Sequence, residues 1–258
     1  MVTFRLKEIP DMGLDVEGIL PDAVCGKKIE EIEKIKIFYG NRKVDAGDFF
    51  DISSDGESLV FEGDLRRVKR IGAFLKNGEI IVRGSAGMYV GAFMKGGKIL
   101  VEGDVGHFSA LNMKGGELTV KGNAGDCIGA SYRGDWRGMS SGKIFVSGNV
   151  GKETGSHMRG GIIIIKGFAD SYCGVKMTGG IIFANRANTR AGAAMRGGSI
   201  IINETPELLP GFFFEDKMRP NIEEELLEGE YSVFLGDHAE RGAKGKIYVR
   251  EFTSDFRY

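Results

Sequence analysis

The side chains that could do chemistry are few, and their spacing does not assemble a catalytic centre. His107, His157 and His238 are the three histidines of the chain. None has a second His or a Cys at metal-ligand spacing, so a zinc-type site is not expected. Cys25, Cys127 and Cys173 form no C-x-x-C pair, and small buried or half-buried packing roles are expected for them. Glycoside-cleaving sites need two carboxylates flanking one bond. Asp104 and Asp126 come closest, but Ser85, Asn123 and Asn149 stand at the equivalents of Asp104 in neighbouring copies of a repeat, which leaves no dyad. Gly84-Ser85-Ala86-Gly87, with Gly91, has the look of a phosphate loop. Such loops aim N–H groups from a helix N-terminus, whereas no helical pattern follows here and the glycines recur in every copy, as corners with positive φ would require. No Asp recurs with the glycines as in calcium-binding nonapeptide repeats. No catalytic, cofactor-binding or metal-ligating residue is assigned.

What remains is the chemistry of recognition. The segment Ser131-Tyr-Arg-Gly-Asp-Trp-Arg-Gly138 interrupts the repeat and holds the single Trp of the chain. Tyr132, Arg133, Asp135, Trp136 and Arg137 have the composition of a binding hot spot, which is favoured over a loop folded back on its own surface. A second feature is a basic column, Lys76, Lys95, Lys114, Arg159 and Arg196, interrupted by Ser140 and Thr178. Like charges stacked about 4.8 Å apart repel by roughly 1 kcal/mol in water. The column is either a ridge that docks an acidic partner or a row of solvated turn residues.

Both features are positioned by the repeat, which runs from Leu59 to Asn203. The glycine that closes each copy recurs at Gly78, Gly97 and Gly116, then at Gly142, Gly161 and Gly180, a step of 19 residues within each set. The last step, to Gly198, is 18 residues, and only the one across the insertion is longer. A unit of this length cannot bury an apolar face alone and must stack on its neighbours. Each copy opens on a short apolar strand such as Ile80-Ile-Val-Arg83 or Ile163-Ile-Ile-Lys166. A Gly and a small apolar residue follow: Ala86, Val105, Ala124, Val150, Ala169 or Ala187. Strands this short, with Gly corners and no room for a crossover helix, predict an all-β fold. A hexapeptide sub-period is absent, so the expectation is a right-handed parallel β-helix, a solenoid of about 19 residues per coil. Leu75, Met94, Met113, Met139, Met158, Met177 and Met195 form one column, read as inward packing. Glu62, Arg83, Glu102, Lys121, Ser147 and Lys166 form another, read as a solvated face with alternating charge.

Residues 1–58 and 204–258 do not repeat and are assigned as N- and C-terminal caps, because open strand edges recruit other chains. Phe4, Leu6 and Ile9 alternate as an edge strand would, and Ile35-Lys-Ile-Phe-Tyr39 favours a strand after a short irregular or helical piece. Turns are expected at Gly40-Asn-Arg42, Gly47-Asp48 and Ser53-Ser-Asp-Gly56. In the C-terminal cap, Phe212, Phe213 and Phe214 must be buried against the end of the stack or a partner. Residues 222–227 could form a short helix, and Tyr231-Ser-Val-Phe-Leu235 and Lys246-Ile-Tyr-Val-Arg250 read as strands.

Composition bounds the rest. Among 258 residues, 35 Lys and Arg stand against 36 Asp and Glu, a net charge of -1. That balance offers no general attraction to nucleic acid or an anionic membrane, and neither is expected as a partner. No run of 18 apolar residues and no signal-peptide start occurs, so a cytoplasmic location is expected. Absence of Gln with abundant Lys, Glu and Ile leans towards a thermophilic source.

Taken with the glycine-rich repeat, Tyr132-Arg-Gly-Asp-Trp-Arg-Gly-Met139 resembles the C subunit of formylmethanofuran dehydrogenase. It also resembles the related third subunit of the bacterial formyltransferase/hydrolase complex. The likeness spans Arg67-Val-Lys-Arg-Ile-Gly72 to Gly236-Asp-His-Ala-Glu-Arg-Gly-Ala-Lys-Gly245; Ser141 interrupts a Gly-Gly pair usual after that Met. The repeat alone is also similar to the C-terminal domain of the large glutamate synthase subunit, which leaves a spacer domain of that type as an alternative. The first resemblance implies a non-catalytic scaffold in a complex that reduces carbon dioxide and attaches it to methanofuran as a formyl group, or runs the reverse. It implies tungsten or molybdenum pterin, iron–sulfur clusters and dinuclear zinc on other subunits, with a pterin/iron–sulfur subunit and a metal-dependent hydrolase subunit as partners.

Overall fold

A computed structural model describes residues 1–54, 56 and 58–253; Asp55 of the expected turn lies outside them. The described residues are all-β apart from three short helices, one of which replaces the turn expected at Gly47-Asp48, where Asp48 Oδ2 accepts from Asp45 N–H at 3.1 Å across the first turn. The N-terminal part contains β1 (Val2–Leu6), β2 (Leu14–Asp15), α1 (Pro21–Val24), α2 (Ile29–Glu33), β3 (Lys36–Tyr39), β4 (Arg42–Asp45), α3 (Ala46–Phe49) and β5 (Phe50–Ser54). The repeats supply β6 (Leu59–Glu62), β7 (Val68–Lys69), β8 (Glu79–Arg83), β9 (Lys95–Val101), β10 (Gly115–Val120), β11 (Lys143–Val146), β12 (Arg159–Ala169), β13 (Thr178–Ala187) and β14 (Gly197–Thr205). The C-terminal part adds β15 (Phe213–Met218), β16 (Asn221–Ile222), β17 (Glu225–Leu226), β18 (Tyr231–Gly236) and β19 (Gly245–Phe252).

Equivalent strands stack in register, because a side-chain period of two puts the same residues inward on every rung. In a 13-stranded sheet, β6, β8, β9, β10, β11, β12, β13 and β14 follow one another in parallel. Leu59, Ile80, Ile99, Leu118, Ile144, Ile163, Ile182 and Ile200 thereby form one buried column. The small apolar residue after each Gly makes a second column of parallel bridges, from Leu65 and Ala86 through Val105, Ala124 and Val150 to Ala169. All seven residues of the Met column are buried in the same continuous core. The alternating-charge column pairs in part as expected, Arg83 to Glu62 at 2.6 Å and Lys121 to Glu102 at 3.9 Å.

The end pieces extend this stack. Contrary to the edge assignment for Phe4 and Leu6, β1 is an interior strand, parallel to β6 and antiparallel to β5, and β5 is the edge. Its alternation is real, but Val2 and Phe4 face the core between two neighbours. At the other end β19 lies parallel on β14, with β18 and β15 continuing antiparallel. Residues 222–227 are not helical: β16 and β17 form a hairpin in which Leu227 N–H donates to Pro220 O at 2.9 Å. Six residues carrying consecutive glutamates cannot offset the cost of helix nucleation, and Ile222 and Leu227 instead pack on an outer cluster with Phe183, Ile201 and Tyr231. Of the three phenylalanines only Phe212 is buried; Phe213 and Phe214 remain 59% and 56% exposed. They lie on β15, which is paired on one side only.

Candidate functional site

Many of the groups that a catalytic reading would have used hold the rungs together instead. Asp104 N–H donates to Ser85 Oγ at 3.0 Å, Asn123 N–H to Asp104 Oδ1 at 2.7 Å and Asn149 N–H to Asn123 Oδ1 at 2.9 Å. Each short polar side chain therefore accepts from the main chain of the next rung. His107 and Asp126 do the same one corner on, His107 Nδ1 accepting from Asp126 N–H at 2.9 Å and Asp126 Oδ1 from Lys152 N–H at 2.9 Å. That bond places the His107 proton on Nε2 if the ring is neutral. The ladder also explains a class of glycine that positive φ does not. At Gly148 a Cβ would meet Asn123 Oδ1 at 2.5 Å and Gly122 O at 2.7 Å, so the glycine leaves room for both the side chain and the main chain of the previous rung. Gly97, at φ +74, is a true left-handed corner.

The interruption at 131–138 stands out from this regular surface. Its entrance is fixed by Ser131 N–H to Ser156 O at 3.1 Å and its exit by Gly138 N–H to His157 O at 2.9 Å. Asn112, a residue the sequence reading missed, bridges the two ends. Its Oδ1 accepts from Tyr132 N–H at 2.8 Å and its Nδ2 donates to Arg137 O at 2.7 Å. Asn112 stands where Phe74 and Phe93 stand in earlier rungs, all three at positive φ. An Asn replacing an aromatic one repeat before the insertion was the available signal.

Between these anchors the loop presents its side chains outward, with Trp136 67% and Tyr132 57% exposed. Asp135 and Arg137 are committed to each other, Arg137 Nε donating to Asp135 Oδ1 at 2.9 Å. The Arg137 guanidinium accordingly holds the Asp135 carboxyl below its usual range. Arg137 and Arg159 lie 5.7 and 5.8 Å from the Trp136 ring centre, within reach of cation–π attraction. Arg133 reaches the other way, 6.0 Å from the centre of the Phe108 ring.

Two grooves flank the loop. One, of about 440 Å³, is lined by Trp136, His157, Lys176, Thr178, Ala194, Arg196 and Glu240. The other, of about 280 Å³, runs under Tyr132, Arg133 and Asp135 against Phe108, Glu153 and His157. His157 lies beneath both; its Nδ1 contacts the Ser156 and Ser131 hydroxyls at 3.1 and 3.3 Å. Burial, followed by the charge of Lys176, pushes the His157 imidazolium to a lower pKa than usual. A neutral ring under an exposed Trp with basic residues beside it suits binding of an acidic, partly apolar surface.

The structure divides the predicted basic column. Arg159 joins the loop site, and Arg196 is paired with Glu240 through Nε at 2.9 Å. Lys76, Lys95 and Lys114 lie on earlier rungs, exposed, and have no ion-pair partner among the described residues. A further groove of about 460 Å³ lies over the glycine corners Gly97, Gly116, Gly142 and Gly161 and contains Lys143 and Glu223, paired at 2.7 Å.

Among the described residues no group of three or more His, Cys, Asp or Glu converges as a metal site would. The three cysteines are free thiols. Burial pushes the Cys127 thiol up to about 11 and Cys173 up to about 12, which disfavours the thiolates that an iron–sulfur cluster needs. No helix of the described residues is long and apolar enough to cross a membrane.

Against known proteins, the GXGXG motif family matches residues 66–210. The chain is 48% identical to the C subunit of the tungsten-containing formylmethanofuran dehydrogenase 2 of Methanothermobacter thermautotrophicus, over 94% of this chain and 93% of that one. The corresponding subunit from Methanococcus maripaludis is 48% identical over 95% and 94%. With the counterpart from Methanothermobacter wolfeii the match is 44% over 90 residues, 33% of each chain. Among solved structures, a chain of the formyltransferase/hydrolase complex of Methylorubrum extorquens, in complex with methylofuran, superposes with a TM-score of 0.87. It is 28% identical, and the match covers 96% of this chain and 99% of that chain.

Proposed function

Because the chain belongs to the GXGXG family and to the family of formylmethanofuran dehydrogenase C subunits, we propose that it is a non-catalytic scaffold of such a complex. In this reading the complex reduces carbon dioxide and transfers it to methanofuran as a formyl group, or runs the reverse, in the cytoplasm. The tungsten or molybdenum pterin, iron–sulfur clusters and dinuclear zinc belong to a pterin/iron–sulfur subunit and a metal-dependent hydrolase subunit. The scaffold itself is a right-handed parallel β-helix of about 19 residues per coil, residues 59–203, capped by 1–58 and 204–258. Support for the helix comes from two in-register columns of parallel pairing per repeat and from the right-handed preference of parallel crossovers.

The observation that carries the scaffold reading is how the polar groups are used. The Ser, Asp, Asn and His residues of the corner ladders accept main-chain hydrogen bonds from the next rung. The large exposed aromatics of the interruption, Tyr132 and Trp136, are held out on a clamped loop. The docking residues are Tyr132, Arg133, Asp135, Trp136 and Arg137, flanked by Arg159 and Arg196. Likeness to the Methylorubrum chain favours a second reading, the third subunit of a formyltransferase/hydrolase complex, which would use the same docking site.

Purification of the tagged chain from its native cells tests the proposal. Co-purification with a pterin- and iron–sulfur-bearing protein is expected. Recovery with a formyltransferase but no pterin subunit would support the second reading. Amidotransferase partners would point to a glutamate-synthase-type spacer, and a monomer with hydrolytic activity of its own would overturn the scaffold role.

A further inference from the structure

An apolar cluster separate from the core lies on the surface of the rungs that precede the Trp136 loop. Phe74 and Phe93 stack between successive rungs with centroids 5.0 Å apart and planes 8° from parallel. Tyr89 and Phe108 do the same at 5.4 Å and 12°. Between the two stacks Ala73, Ala92 and Leu111 are fully covered. Phe74 is 40% exposed, and the other three rings are half-buried. All four rings project from backbone at φ between +60° and +65°, a region that L side chains rarely adopt and glycine enters freely. Beside the Phe stack stands the unpaired lysine trio. Leu75, Met94 and Met113 separate the two columns in sequence and are buried in the core, whereas Phe74, Lys76 and Lys95 are exposed. Arg133 above Phe108 makes the patch continuous with the loop.

We propose that this surface docks an acidic amphipathic helix of another subunit, its axis running along the stack of rungs. The inference rests on the chain being part of a multi-subunit complex. Charge complementarity supplies the first argument: three adjacent cations without carboxylate partners among the described residues repel one another until a partner brings acidic groups. Spacing supplies the second. Lysines one rung apart recur about every 4.8 Å, close to the 5.4 Å pitch of an α-helix, so carboxylates at i, i+4 and i+7 can meet all three. An extended strand along the same line places same-face residues about 6.8 Å apart and falls out of step with the lysines. The apolar stripe of such a helix, about 100° wide, would cover the aromatic stacks while its acidic edge meets the lysines.

The test uses the assembled complex carrying the photo-crosslinker p-benzoylphenylalanine in place of Phe93. Irradiation followed by peptide mass spectrometry should join this position to a helical, carboxylate-rich segment of another subunit. Lys76→Glu, Lys95→Glu and Lys114→Glu together should lower the adduct yield at least tenfold, with the melting temperature of the isolated chain unchanged. A normally assembled complex with no adduct on another subunit would overturn the proposal while leaving the scaffold reading intact. An adduct confined to a second copy of this chain, to a strand, or indifferent to the charge reversal would also overturn it. Failure of the unsubstituted chain to form any complex would overturn both.

Discussion

Asn112 holds the candidate site together from outside it. It is buried, and it satisfies one donor and one acceptor of the loop ends. Removing it strands Tyr132 N–H and Arg137 O, at a cost of about 1–3 kcal/mol. Asn112→Ala should therefore loosen the loop while the rungs persist. The expected outcome is faster tryptic cleavage after Arg133 and Arg137, with little change in the far-ultraviolet circular dichroism. Cleavage at the wild-type rate would show that the loop is held elsewhere. The loop residues themselves were legible because they break a period, and a break is visible without knowing any contact. Asn112 was legible only as a change of residue type after Phe74 and Phe93, because its role depends on the left-handed backbone that its column shares with Phe93. For the same reason the carboxylates Asp104 and Asp126 looked available in sequence, whereas the next rung's N–H groups already occupy them.

At the scale of elements, the period, the strands and the Met column could be read directly, since stacking forces chemically equivalent residues into columns. The glycines were read only in part. Corners such as Gly97 need positive φ, but Gly148 is small because the Asn123 side chain and the Gly122 carbonyl fill the space beside it. Gly148→Ala should cost about 1–3 kcal/mol by overpacking, because the added Cβ would lie 2.5 Å from Asn123 Oδ1 and 2.7 Å from Gly122 O. Adding Asn123→Ala removes only the amide contact and leaves the Gly122 carbonyl in the way, so a double-mutant cycle of thermal midpoints should show no more than partial recovery; full recovery would contradict the main-chain contact. The missed elements lie where no repeat guides the reading. Residues 222–227 became a hairpin because Ile222 and Leu227 find an apolar cluster contributed by distant strands, and β1 became an interior strand because β5 folds back to cover it.

At the scale of the molecule, one apolar core runs from Val2 to Val249, with the end pieces adding strands to the same sheet as the repeats. A body of this kind suits fixed separation of partners, and its irregular surface is concentrated in the clamped loop and the aromatic and basic columns beside it. The scaffold account requires that Trp136 matter for assembly and not for folding. An interface anchor of this type contributes about 2 kcal/mol or more, whereas a residue 67% exposed should change intrinsic stability by no more than about 0.5 kcal/mol. The direct measurement is native mass spectrometry of the complex purified through Trp136→Ala, paired with the melting temperature of the isolated chain. The account predicts at least about tenfold weaker recovery of partner subunits at an unchanged melting temperature; full recovery of the complex with the substituted chain would contradict it.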